Sequence, residues 1–204
     1  RYPAFEGLRQ AHADVLRSKS FVRSFAYQPD VVSHGVSLSA SLPLAEAVHF
    51  LGNFVAPREG MISSCFCPAG GKGRMYFTDE NGKRIDGMLD FLREGHRSGL
   101  LSREELYLLL SSLLDAADRV ANISGTYGAY LKKWQRSALQ PLTLRVPEVI
   151  ESPLEHKAHR RDANELIREL KGDVLYIDPP YNKRQYAANY HVLEIIAEHH
   201  EVDD

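Results

Sequence analysis

One short stretch brings together residue types that could act on a flat ring bearing an amino group. Gly172 to Tyr181 reads GDVLYIDPPY. Asp178 offers a carboxylate, and Pro179 and Pro180 fix φ twice while withholding two backbone donors, which leaves carbonyls facing outward with no amide beside them. Tyr181 adds an aromatic face. A ring with an exocyclic NH2 could donate its two hydrogens to the carboxylate and to a carbonyl while the phenol stacks on it. Such a turn needs a fixed element behind it. Val174-Leu175-Tyr176-Ile177 is apolar, β-rich and too brief for a helix, and it predicts one buried strand of a parallel sheet. Asp178 would then sit at the carboxyl end of that strand, where open α/β sheets place their ligands.

The elements around this turn are polar upstream and amphipathic downstream. Asp162-Ala163-Asn164 precedes Glu165 to Leu170, a short helix running into Gly172, and the order Asp, helix, strand, Asp is βαβ-like. It predicts Asp162 and Asp178 side by side at one sheet edge, although Asp162 by itself reads as a helix N-cap. Beyond Tyr181, Asn182-Lys183-Arg184-Gln185-Tyr186 reads as a polar loop and Tyr190 to Glu198 as a helix with Val192, Leu193, Ile196 and Ala197 inward. His191 near its start reads as a buried or capping residue rather than a catalytic base.

Asp-Pro-Pro-Tyr after a short strand resembles the catalytic motif of N6-adenine DNA methyltransferases. RDANELI before it, NKRQYAANYHVLEIIA after it, and the earlier blocks GMISSCFCPAGGKGRMYFT and LLDAADRVANISGTYGAYLKKW are similar to the D12 class, which includes the Dam-type enzymes. The resemblance runs from about residue 50 onward. It implies an α/β fold, a partial Rossmann-like methyltransferase sheet with a mostly helical target-recognition insertion. It divides the chain into 1–40, part of the catalytic domain; 41–146, the DNA target-recognition region; and 147–204, which carries the Asp162 and DPPY motifs. The resemblance further implies S-adenosylmethionine as cofactor, with Asp162, Ala163 and Asp178 near it, and Asp178, Pro179, Pro180 and Tyr181 as the catalytic turn. Asn182, Arg184, Gln185 and Tyr186 become expected DNA or substrate contacts, double-stranded DNA the expected partner, and an endonuclease of the same restriction system a further one. Two readings stay open beside it: an RNA base methyltransferase, since RNA guanine enzymes carry close variants of the motif, and a nucleic-acid-binding module without catalysis.

Bulk properties set limits. Of 204 residues 44% are apolar, enough for a sizeable core, and 25 Lys and Arg against 27 Asp and Glu give no global attraction to nucleic acid, so any DNA surface must be local. Cys65 and Cys67 are too close for an ordinary disulfide and too few for structural zinc, and no metal site is expected. His156 and His159 in the basic stretch after Pro153 lack companions that would complete a ligand set. The charged opening shows no secretory signal, no run is long enough to span a membrane, and the cytoplasm is the expected compartment. The family's Gly-rich cofactor loop has no match here, and Gly70-Gly71-Lys72-Gly73 lacks the strand-loop-helix setting it requires. With Arg at position 1, the chain reads as an internal fragment.

The middle of the chain is expected to be mainly helical. A helix is expected within residues 4–25, ending at a turn over 27–30. LPLAEAVHFLGNF from Leu42 predicts another, with Pro43 in its tolerant first turn. Met61 to Ser63 and Arg74 to Thr78 read as extended pieces around a mobile turn whose Lys72 and Arg74 read equally as DNA-backbone contacts or as solvated side chains, and Asp79-Glu80-Asn81-Gly82 as a second turn. Residues 85–98 predict a helix closed by Gly99, and Ser102-Arg103-Glu104-Glu105 a capping box opening a long helix to about Val120, with Asp115 and Asp118 as surface charges near Arg119. From Asn122 to Arg145, Lys132, Lys133, Arg136 and Arg145 stand free of acidic neighbours among Tyr127, Tyr130 and Trp134. Cations for phosphates with rings for stacking point to a nucleic-acid contact.

Overall fold

Six helices carry half of the described part of the chain, which is residues 38–149, 152–178 and 186–198 of a computed structural model. The expected helix and turn within residues 1–30 lie outside the described residues. Helix α1 (Leu38–Phe54) starts one turn earlier than its sequence pattern indicates, which leaves Pro43 inside it. From Leu44 onward it turns Leu44, Ala47, Val48 and Leu51 into the core.

Two expectations between residues 61 and 82 are corrected. Met61–Phe66 is a short helix, α2, rather than an extended piece, because its open first turn is capped from a distance. The Asp86 carboxylate accepts both Ile62 N–H and Ser63 N–H at 2.8 Å, and this satisfies donors that a helix start leaves bare. Asp79 to Gly82 is likewise no turn but the opening of α3 (Asp79–Arg97). Thr78 caps it by accepting Asn81 N–H at 3.2 Å, and Asp79 and Glu80 place negative charge against the positive end of the helix dipole. Gly82 belongs there by packing rather than by flexibility. A Cβ on it would stand 2.2 Å from Cys67 Sγ.

Helix α4 (Arg103–Arg119) forms as its capping box requires: Ser102 Oγ accepts Glu105 N–H at 3.2 Å and Glu105 Oε2 accepts Ser102 N–H at 2.8 Å. Gly99, with φ of 76°, provides the left-handed residue that ends α3. Leu106, Leu109, Leu113, Ala116 and Ala117 of α4 are almost fully buried and meet Ile85, Met88, Leu89 and Leu92 of α3. Each such side chain contributes about 1.5–3 kcal/mol relative to exposure. Helix α6 (Tyr186–Glu198) closes this core, with Val192 and Ile196 at 0% exposure against α4. It begins a turn before the sequence pattern indicates, so Tyr186 is helical rather than part of a loop.

The segment between these regions behaves differently. Asp162 does cap a helix, accepting Asn164 N–H at 2.7 Å, but α5 (Ala163–Leu166) is only one turn long. The expected buried strand at Val174 to Ile177 is not formed: these residues have no regular structure and are 89%, 63%, 86% and 66% exposed. A four-residue run becomes a strand only when neighbours take up its N–H and C=O groups, and none of the described residues lies alongside to do so. The one bridge of β type among the described residues joins Ile123 to Tyr130. No helix of the described residues is long and apolar enough to cross a membrane.

Candidate functional site

Of the DPPY turn, only Asp178 lies among the described residues; it is exposed. Pro179, Pro180, Tyr181, Asn182, Arg184 and Gln185 lie outside them, and so does any geometry at the turn itself. Asp162 and Ala163 are exposed on α5. The sheet edge expected to bring Asp162 beside Asp178 is not formed among the described residues, since Val174 to Ile177 is not a strand. Arg161 forms a paired bridge to Glu169, at 2.6 and 2.8 Å, which holds the Glu169 carboxyl below its usual range.

The basic stretch, in contrast, is built in detail. Residues 120–149 contain no helix, yet the loop is fastened by one buried side chain. Asn122, 0% exposed, donates from Nδ2 to Met75 O at 3.1 Å and Leu131 O at 2.8 Å, and accepts Gln135 N–H at 3.0 Å. Its backbone also donates to Tyr76 O and accepts from Leu131 N–H. Gln135 adds a bond from Nε2 to Ile123 O at 2.8 Å. Lys132, Lys133 and Arg136 are consequently carried on a fixed loop with their side chains exposed, while Trp134 is half-buried between them. Farther along, Asn81 donates to Gln140 O and accepts Leu142 N–H, both at 2.9 Å. Cations so mounted can meet phosphates without first ordering the chain that bears them.

A second group of rings links this loop to α6. Tyr127 is 1% exposed, donates its hydroxyl to Asp118 at 3.1 Å, and its N–H to Asn189 O at 2.8 Å. Burial, with Asp118 adding to it, raises the Tyr127 phenol pKa far above its usual value. Tyr76 donates to Tyr127 O at 2.9 Å and lies 5.3 Å from the Tyr130 ring, centre to centre. His191 packs against Phe66 and Tyr76, and Arg74 lies over the Phe66 ring at 5.6 Å.

Among the expected DNA contacts, Lys72 is exposed on a turn that is fastened rather than mobile. Gly73 N–H bonds to Gly70 O at 2.9 Å and Ala69 N–H to Asp79 Oδ1 at 2.8 Å. Arg74 is half-buried beside the aromatic group, and Tyr186 is exposed at the start of α6. Arg145 is exposed, whereas Arg119 is paired with Asp115 and donates to Thr143 O at 2.7 Å. No group of three or more ligating side chains suited to a metal occurs among the described residues. Sequence reasoning missed Asn122, Gln135, Asn81 and Asp86. Their types signal nothing alone.

Comparison with known proteins places these residues in company. The family model of the D12 class N6 adenine-specific DNA methyltransferases matches residues 52–202. The Type II methyltransferase M.NlaIII of Neisseria lactamica is 46% identical over 142 residues, 69% of this chain and 42% of its own length. The Type II methyltransferase M.FokI of Planomicrobium okeanokoites is 44% identical over 156 residues, covering 76% of this chain and 24% of its own. The Type II methyltransferase M.CviAII of Paramecium bursaria Chlorella virus 1 is 40% identical over 139 residues, 67% and 40% of the two lengths. The chain thus spans less than half the length of these relatives. No solved structure matches.

Proposed function

The chain belongs to the D12 class of N6 adenine-specific DNA methyltransferases, and from that premise we propose that the protein transfers a methyl group to N6 of an adenine flipped out of double-stranded DNA. The family carries a methyl donor and a Rossmann-like fold. The observation that carries the proposal is the family match over residues 52–202 with Asp178-Pro179-Pro180-Tyr181 inside it. Relatives named Type II methyltransferases and modification methylases support sequence-specific action within a restriction system, with an endonuclease cutting the same site as partner.

The donor is S-adenosylmethionine, whose sulfonium supplies an activated methyl group. In this reading Asp162, Ala163 and Asp178 would hold it, the two exposed carboxylates being able to accept its hydroxyl and amino hydrogens. The chain's own work falls on the acceptor. Adenine N6 is a weak nucleophile because its lone pair is drawn into the ring. The Asp178 carboxylate and the Pro179 carbonyl accept its two hydrogens, draw the nitrogen toward tetrahedral geometry and stabilise the positive charge that develops, and one of those two protons leaves after the methyl group has been transferred. Pro180 stiffens the turn, and Tyr181 stacks on the extruded ring. Flipping costs a few kcal/mol, and stacking of about 1–3 kcal/mol offsets much of it.

In this reading residues 41–146 form the target-recognition region, a mostly helical insertion whose loop presents Lys132, Lys133 and Arg136 to phosphates, with Lys72 and Arg74 beside it. Residues 1–40 and 147–204 belong to the catalytic domain. Asn182, Arg184, Gln185 and Tyr186 contact the strand next to the flipped base, and the cytoplasm is the compartment. The test is nucleoside mass spectrometry on DNA and RNA from methylation-deficient cells expressing the full-length protein. N6-methyladenine in DNA is expected. Methylation confined to RNA, or none in either polymer from soluble protein, would overturn the proposal.

A further inference from the structure

Tyr186 and Tyr190 stand four residues apart at the start of α6, their rings stacked with centroids 5.7 Å apart and planes at 22°. They remain 49% and 39% exposed. At about 100° per residue their common direction lies roughly 120° around the helix from that of the buried Val192 and Ile196, so the core does not claim them. The turn that bears them is anchored. Tyr127 N–H bonds to Asn189 O at 2.8 Å, and the His191 ring lies 6.0 and 5.9 Å from those of Phe66 and Tyr76. Two open aromatic faces are therefore held on a rigid mount, five residues past Tyr181 and within about 18 Å of it along the chain.

We propose that the Tyr186–Tyr190 pair is a stacking platform for a nucleobase left without a stacking neighbour when the target adenine leaves the duplex. That base is either the former pairing partner of the adenine or its neighbour on the same strand. This inference rests on the proposed DNA adenine methylation. It goes beyond that reading by naming a second base site and by assigning Tyr190, which no motif singles out. The chemistry fits a base because every base has a π face, and rings already held against each other lose little freedom on binding one.

The experiment uses full-length protein and three duplexes carrying the site it methylates: intact, abasic opposite the target adenine, and abasic beside it. The variants are Tyr186→Leu with Tyr190→Leu, which keeps apolar bulk and loses the rings, the single Tyr190→Leu, and Tyr186→Phe with Tyr190→Phe, which keeps both. The double leucine variant should bind the intact duplex about tenfold more weakly, and the phenylalanine variant should match wild type. On the duplex lacking the stacked base, wild type and the leucine variant should bind equally, and which abasic duplex does this identifies the base. Equal binding of intact duplex by wild type and the leucine variants overturns the platform, as does a penalty that is the same on all three duplexes, which would mark a packing role or a protein partner at this face. The two readings fail separately. A wild-type protein that leaves adenine N6 in DNA unmethylated sinks the reading beneath the proposal, whereas a leucine variant as active and as tightly binding as wild type sinks only the platform.

Discussion

Two apolar sets of similar composition meet opposite fates in this chain. Val192 and Ile196 of α6 are at 0% exposure, whereas Val174 and Ile177, earlier in the same stretch of chain, are 89% and 66% exposed. The first set belongs to a helix, which satisfies its own backbone and needs only a surface to pack on, and α4 supplies one. The second belongs to a run whose backbone must be satisfied by neighbouring strands. The contrast separates a helical region that its own contacts can hold from a segment, carrying Asp162 and Asp178, that depends on further structure for its shape. It also places the proposed grip on DNA in the first region and the proposed chemistry in the second.

That division can be broken from either side. The largest effect is expected at Asp178: Asp178→Ala should lower methylation by about a thousandfold, since it removes an acceptor that acts on developing charge. Tyr181→Ala should lower turnover by about ten- to a hundredfold through lost stacking on the extruded ring, read from methyl transfer at saturating DNA. Replacing Lys132, Lys133 and Arg136 together by Ala should weaken duplex binding and reduce the slope of log K against log salt by about 2 to 3, with turnover at saturating DNA near that of wild type. A smaller but more local test concerns the mount of that loop. Asn122→Ala leaves Met75 O, Leu131 O and Gln135 N–H without their buried partner and should cost about 3 kcal/mol in denaturant unfolding.

The smallest effect should appear at alkaline pH. The Tyr127 phenol has a folded pKa raised by burial, so the stability it contributes is complete below about pH 10, its unfolded value, and is lost as pH rises through the folded value. Tyr127→Phe should cost about 1 kcal/mol near neutrality, through the lost bond to Asp118, and flatten the alkaline decline in stability. Tyr76, also raised by burial, would leave part of that decline in place. An unchanged alkaline limb would contradict the assignment to Tyr127. The same core gives Cys67 a thiol pKa pushed up to about 12, chiefly by burial, so it should resist alkylation until the protein unfolds.

What could be read from the sequence follows the same division. The capping box at Ser102, the leucine face of α4 and the closing Gly99 were legible because each is a local rule with a local partner. The start of α3 was misread as a turn because Asp79-Glu80-Asn81-Gly82 has turn composition, and what decides it is Thr78 as cap and the fit of Gly82 against Cys67. Helix α2 was misread because its cap, Asp86, lies more than twenty residues away. The Val174 to Ile177 strand was a sound inference from composition, but a parallel strand is a property of several segments at once and not of its own four residues. Within the site, the DPPY residue types were visible at once, as were the exposed cations. The frame that fixes those cations, Asn122 with Gln135, was not, since its meaning lies in which carbonyls fold around it.

The most direct test of the separation between grip and chemistry is a titration of duplex DNA with full-length Asp178→Ala protein, compared with wild type at the same salt concentration. Affinity within about twofold of wild type, beside lost methylation, is the result predicted. Binding that falls as far as in the variant lacking Lys132, Lys133 and Arg136 would contradict it, and would mean that Asp178 supports the grip on DNA as well as the chemistry.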